Sequence, residues 1–251
     1  MKNIVISIIF TLISVFTLAQ DKNLSASNDI NRKNSVVVLE KQTELSEENL
    51  TSNSSYSIRD NDENAYNAVK IGNQIWMAEN LKTTKYNDGT VIPLVSDYNA
   101  WSNLTSAGFC WYRNDAESFK DNYGALYNGY TISTGKLCPL GWHVPSVEDW
   151  MILINYCGGD KAGVYLKEMG SENWISPNAG ATNTTGFAAR PGGSRGNYGS
   201  FLDIGLRGHW WSSSEYDKPN VWSINMSSFY SDVTESSDNK KSGLSVRCIK
   251  D

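Results

Sequence analysis

An α+β module with a small antiparallel sheet, two helices in mid-chain and long irregular loops is the fold class this sequence predicts. Three observations carry it. Clear helical periodicity follows Pro145-Ser146, where Trp150, Leu153, Ile154 and Cys157 recur at i, i+3, i+4 and i+7. Short runs suited to strands lie on both sides of it, at 69–77, 90–95, 107–113, 210–213, 221–226 and 244–249. Beyond Trp174, Gly, Ser and Asn loops separate the runs and no long helical period returns.

The chain of 251 residues opens on Lys2 and an apolar run, Ile4–Phe16, which is too short to favour a membrane span. Thr17-Leu18-Ala19 then places small residues where a signal peptidase reads, so residues 1–19 are expected to be a cleaved secretory signal, with an uncleaved anchor as the rival. No cysteine near the cut invites acylation, and no transmembrane segment is expected in the mature chain. Residues 20–64 hold no Trp, Cys, Gly or Pro, and Tyr56 is their one aromatic. Such a segment buries too little apolar surface to offset its ordering entropy, and a disordered linker is expected. A short strand at Val36–Leu39 and a marginal helix over 38–50 are the exceptions considered. The folded domain is expected over 65–251.

Within that domain Val69–Met77 alternates around Gly72-Asn73 and reads as a hairpin. Thr90–Val95 reads as a short strand with a proline tolerated at an edge, and Ala107–Arg113 as another. Ser146 caps the clearest helix, Asp149 reciprocates three residues on, and Glu148 suits the positive end. Gly158-Gly159 stops it. Asp160 is expected to cap a second helix over Lys161–Met169, closed by Gly170. Strands at Trp210–Ser213, Val221–Met226 and Leu244–Ile249 complete the sheet.

A net charge of −5, spread along the chain without a Lys/Arg cluster, argues against nucleic acid as a partner. Four cysteines, all between 110 and 248, predict disulfides behind a secretion signal, and spacing leaves all three pairings open. Two histidines, His143 and His209, are too few for a zinc site without strong supporting ligands. His143 reads as structural, whereas His209 could face a cleft. Ser212–Ser214 lacks the Gly-x-Ser-x-Gly elbow of a hydrolase. No cofactor is expected, apart from calcium if Glu215, Asp217, Asp232 and Glu235 converge; four scattered acids also suit a solvated surface. Arg190, Arg195 and Arg207 accompany Asp203 and Asp217 in the loop-rich half, where ion pairs would pin loops. A pocket for carboxylates or sugar acids is the sharper alternative. Trp76, Trp142 and Trp150 read as core. Trp101, Trp174 and Trp222, with Tyr198, Phe229 and Tyr230, sit beside Asn/Gly/Ser loops, where flat rings suit sugars and protein partners as well as a core.

Several motifs, in order, resemble a known family. They are Val69-Lys-Ile-Gly-Asn-Gln-Ile-Trp-Met-Ala-Glu-Asn-Leu81, Tyr123-Gly-Ala-Leu-Tyr-Asn128, Cys138-Pro-Leu-Gly-Trp-His-Val-Pro-Ser146, Gly186-Phe-Ala-Ala-Arg-Pro-Gly-Gly-Ser-Arg195, Trp210-Trp-Ser-Ser213 and Gly243-Leu-Ser-Val-Arg-Cys248. Together they resemble the Fibrobacter succinogenes major paralogous domain family over roughly residues 65–251. The resemblance implies a C-type-lectin-like fold, distantly related to sulfatase-modifying factors, in secreted or surface proteins of Bacteroidota and Fibrobacterota. It also implies a Cys138–Cys248 disulfide, after which Cys110 and Cys157 pair by elimination or stay as core thiols. Two departures matter. Residues 192–201 hold none of the cysteines that sulfatase-modifying factors use for oxidation. Glu215–Asn220 and Trp222–Asn225 lack the spacing of a calcium-dependent sugar loop.

The functional expectation is a non-catalytic recognition or adhesion module, secreted, periplasmic or displayed on the cell surface. It would bind a glycan or an exported protein through residues 190–235, with Trp101, Trp174, Arg195, Tyr198, Trp222 and Tyr230 as contacts. An enzyme diverged from the sulfatase-modifying ancestor and a structural envelope component are the competing classes.

Overall fold

A computed structural model describes residues 58–251. The expected signal at 1–19, the linker up to residue 57, the strand at Val36–Leu39 and the helix over 38–50 lie outside the described residues. Ile58–Asn64, expected as linker, instead belong to the fold. β1 (Ile58–Arg59) pairs antiparallel with β2 (Ala65–Tyr66), and Ile58 is buried in the core. The polar letters that suggested a solvated spacer wind a tight turn around Asp60. Its carboxylate accepts from the Asp62 and Asn64 backbones, from Asn64 Nδ2, and from the Tyr66 hydroxyl at 2.6 Å.

The fold is mixed, with four antiparallel sheets among the described residues. The hairpin of β3 (Ala68–Ile71) and β4 (Gln74–Met77) turns at Gly72, whose φ of +59° suits glycine. It extends through β14 (Ile249–Lys250) to β7 (Trp142–His143). A second sheet runs β5 (Phe109–Cys110), β6 (Leu126–Asn128), β13 (Gly243–Leu244), β8 (Ser194–Arg195), β9 (Phe201–Leu202). The longest strands, β10 (Arg207–Asp217), β11 (Asn220–Ser227) and β12 (Val233–Asn239), form a three-stranded meander. Strand β12 was not expected. Its sequence, Val-Thr-Glu-Ser-Ser-Asp-Asn, is largely polar, because an edge strand buries little besides Val233. Thr90–Val95 forms only bridges, Lys85 to Val91 and Leu94 to Phe109.

The helix expected after Ser146 is α4 below, with its reciprocal cap. Ser146 Oγ accepts from the Asp149 amide at 3.1 Å, while Asp149 accepts from the Ser146 amide at 2.9 Å. In chain order the helices are α1 (Tyr98–Ser102), α2 (Ala116–Tyr123), α3 (Gly129–Ile132), α4 (Val147–Tyr156) and α5 (Gly163–Leu166). The first three were not expected, being too short to show a period. Asp97, Asp115 and Asn128 cap them with side-chain oxygens. The expected helix over Lys161–Met169 shrinks to a 3-10 turn and α5. Lys167 leaves helical geometry, at ψ 140°, to bridge Ala189.

Aromatic rings fill an interior poor in aliphatic residues. Seven of the nine tryptophans (Trp76, Trp101, Trp111, Trp150, Trp174, Trp210 and Trp211) are buried. Their indole N–H groups need partners there. Trp210 donates to Asn80 Oδ1 at 2.9 Å, Trp211 to the Tyr127 carbonyl at 2.7 Å and Trp174 to the Ala189 carbonyl at 2.8 Å.

The chain's last residues close the core. Residues 242–249 are all buried. Leu244, Val246 and Cys248 alternate into one apolar cluster, and Ser245 and Arg247 point the other way. Cys248 is bonded to Cys138. Cys110 and Cys157 do not pair with each other; they lie in different core clusters, and burial pushes the Cys110 thiol up to about 12. On the chain-entropy view a bridge across 110 residues stabilises by up to about 4–5 kcal/mol. Peptide mapping without reduction is expected to recover 138 linked to 248, with 110 and 157 alkylated only after denaturation. Replacing both bridge cysteines by serine is expected to cost about 2–5 kcal/mol in chemical denaturation.

Candidate functional site

The exposed aromatic and arginine contacts expected from the sequence do not assemble into one platform. Trp101 and Trp174 are buried at 0% and 1% exposure, and neither presents a face to a ligand. Arg195 is buried between the rings of Trp101 and Phe201, at 4.4 and 4.8 Å. Its guanidinium donates to the carbonyls of Gly199, Val95, Ser96 and Asp97, which consumes it as a loop clamp. Tyr198 and Tyr230 are exposed, and Trp222 is half-buried with its ring edge-on to Tyr216 at 4.8 Å.

Other candidates are also accounted for structurally. Arg190 pairs with Glu168 at 2.8 Å. Ser212 is buried and accepts from the Ser214 amide, while Ser214 Oγ accepts from the Val147 amide at the start of α4. His143 is exposed and bridges Asp251 at 2.7 Å and Asp149 at 3.4 Å. Three of the four acids considered for calcium are engaged separately: Glu215 meets Lys240, Asp217 accepts from Asn220, and Asp232 meets Lys161, while Glu235 lines the groove described below. Among the described residues no group of three or more His, Cys, Asp or Glu side chains is placed to hold a metal.

What the structure does build is a polar groove of about 400 Å³ on the meander. Strand alternation explains it. Trp210, Ile224, Met226 and Val233 project from one face into the core. On the other face, register aligns His209 with Asn225 and Asn225 with Thr234, making a row across all three strands. Arg207 opposite Ser227 forms a parallel row. Tyr230, 63% exposed, lines the groove from the loop that joins β11 to β12. Sequence reading named Tyr230 and considered His209, but it missed Asn225 and Thr234. Their signal was the alternation of β11 with an unrecognised β12.

Two atoms in this groove lack satisfaction within the protein. His209 Nε2 and Asn225 Oδ1 are buried, and neither makes a hydrogen bond among the described residues. Nε2 lies 3.4 Å from Asp203 Oδ2, outside good hydrogen-bond geometry. That proximity to His209 holds the Asp203 carboxyl below its ordinary value, with Arg207 adding to the effect against partial burial. Polar atoms removed from water cost free energy until something pairs with them, so they mark where a polar ligand gains most.

The Tyr230 loop is held by a buried ammonium. Lys167 Nζ donates to the carbonyls of Ala179 and Ser227, both at 3.0 Å, and of Tyr230 at 2.8 Å. Burial pushes Lys167 down to about 8 from its ordinary value of 10.5. Between those values the unfolded chain holds a proton that the folded chain has released, so folding gains stability as pH rises through that window. Lys167→Met removes the titration. The stability difference, wild type minus variant, is therefore expected to grow from pH 8 towards pH 10, as read by urea denaturation at each pH.

Comparison with known proteins adds the family. Residues 69–250 match the Fibrobacter succinogenes major domain, a span that includes every strand from β4 to β13 and the whole groove. Neither a curated protein nor a solved structure matches the chain. With about three-quarters of its length in that match, the chain belongs to the Fibrobacter succinogenes major domain family.

Proposed function

We propose that this protein is a secreted or cell-surface recognition module, built on a C-type-lectin-like scaffold, that binds a glycan through the groove on its three-stranded meander. The observation that carries the reading is the pair of buried, unsatisfied atoms, His209 Nε2 and Asn225 Oδ1, in a groove flanked by the exposed Tyr230 ring. A donor or acceptor on each sugar carbon, beside a flat C–H face, suits an amide, an imidazole and a phenol set close together. Location outside the cytoplasm is supported by the leader-like Lys2–Ala19 and by the Cys138–Cys248 bridge, which persists in an oxidising compartment. An exported protein is the second class of partner, and the Asp203–His209 contact beside the groove is a feature that would serve a catalyst.

Glycan arrays probed with the full chain test the reading, alongside pull-downs from culture supernatant. Asn225→Ala and Tyr230→Ala are each expected to weaken binding by roughly tenfold, the equivalent of about 1.4 kcal/mol. Trp222→Ala, outside the groove lining, is expected to leave it within twofold, roughly the scatter of a neutral surface change. Loss of binding in Trp222→Ala with retention in the groove variants would move the site to the Tyr216–Trp222 pair. A turnover abolished by His209→Ala would replace recognition with catalysis.

A further inference from the structure

A second concavity among the described residues lies away from the meander. A cleft of about 460 Å³ is bounded by the Ile58–Asn61 turn, the Lys85–Asn87 loop, the Leu137–Leu140 turn, the edge strand β7 and its neighbour β14. Its lining is apolar at the half-buried Trp142 and at Leu140, which is 80% exposed. Register places Lys250 directly opposite Trp142, on the same face of the sheet. Arg59 and Lys85 add two more cations to the lining. Arg59 donates to the Glu63 carbonyl at 3.0 Å and meets no carboxylate among the described residues, while Lys85 shares Asp62 at 3.1 Å. The single acid in the lining, Asp60, is buried and spends its oxygens on Asp62, Asn64 and Tyr66. In a chain of net charge −5, this cleft is locally positive.

The walls are held in place before anything binds. Asn61 Nδ2 donates to the Tyr86 carbonyl at 2.6 Å and Asn87 Nδ2 to the Cys138 carbonyl at 3.1 Å. That leaves the side-chain oxygens of both amides as acceptors on the lining. Cys138 is in turn bonded to Cys248, next to the strand that carries Lys250. A rigid pocket loses little entropy on binding. The turn at 58–61 precedes the family match at residue 69, so this chain adds one wall from outside the matched span.

We propose that this cleft is a second binding site, for a carboxylate-bearing sugar chain of the uronic-acid type. The sugar's apolar face packs on Trp142 and Leu140, its hydroxyls donate to Asn61 and Asn87, and its carboxylate is neutralised by Arg59, Lys85 and Lys250. An acidic peptide would use the cations but would not need the half-exposed indole beside paired amide acceptors.

The test is titration of the full chain with an oligogalacturonate, read by calorimetry and by tryptophan fluorescence. The same oligosaccharide with its carboxyls reduced to alcohols, and a polyglutamate, serve as comparisons. Saturable binding is expected, weakened at least tenfold on carboxyl reduction, weakened several-fold by Arg59→Ala and by added salt, and abolished by Leu140→Asp. Leu140 is exposed, so that variant is expected to fold and to melt as the wild type does. Asn225→Ala, which weakens binding at the meander groove, is expected to leave the affinity for oligogalacturonate as it is, which separates this site from the one proposed above. Absence of saturable binding overturns the proposal. So does equal affinity for the reduced chain or for polyglutamate, indifference to both Arg59→Ala and Leu140→Asp, or loss of binding in Asn225→Ala.

Discussion

The burial of the final strand segment, Gly243–Ile249, is the constraint on which the rest of this structure depends. This segment is threaded through the middle of the described fold. The Met77 amide donates to the Cys248 carbonyl at 3.0 Å and the Leu81 amide to the Val246 carbonyl at 2.8 Å. Trp211 donates to Ser245, and Ser245 donates to His209, both at 3.0 Å. One segment of alternating residues therefore ties the β3–β4 hairpin, the five-stranded sheet and the meander together. Gly243 must be glycine for steric reasons, since a Cβ there would stand 2.9 Å from the Trp101 ring.

The polar half of that alternation is as demanding as the apolar half. Arg247 is fully buried, with its guanidinium over the Phe187 ring at 4.3 Å. It donates to the Phe187 and Ala188 carbonyls and to Asn80 Oδ1. The same oxygen accepts from Trp210, and Asn80 Nδ2 reaches the Tyr123 carbonyl at 2.9 Å and Ser245. Burial without a contacting carboxylate pushes the Arg247 guanidinium down to about 9, which still leaves it charged at neutral pH. A buried charge is costly unless its donors are met; the carbonyls and amide of this knot meet both terminal nitrogens, while Nε has no hydrogen-bond partner among the described residues. The knot fixes the inner face of β10, and the strand's alternation then leaves Arg207 and His209 facing outward. Groove and knot are two faces of one strand.

The sequence made much of this legible, for local reasons. The Gly72 turn, the Ser146–Asp149 cap and the alternating tail each write their geometry within a few residues. What it concealed was non-local. Trp101, Trp174 and Arg195 sit beside loop-forming residues, which suggested exposure, yet those loops fold over them and Arg195 clamps four carbonyls to hold the covering in place. Polar Ile58–Asn64 looked solvated because its hydrogen bonds close on itself and on Tyr66. Thr234 could not be assigned to a groove without knowing that β12 pairs with β11. Asn225 becomes conspicuous only when its oxygen is seen to be buried without a partner.

Native-state hydrogen exchange is the most direct test of the claim that the tail is the keystone. Amides of Met77, Leu81, Trp211 and Ser245 are predicted to exchange only through global unfolding, with one shared opening free energy equal to that from denaturant, while edge strand β12 opens earlier. Exchange of the Ser245 and Leu81 amides through a local opening, well below the global free energy and with the meander still protected, would contradict it.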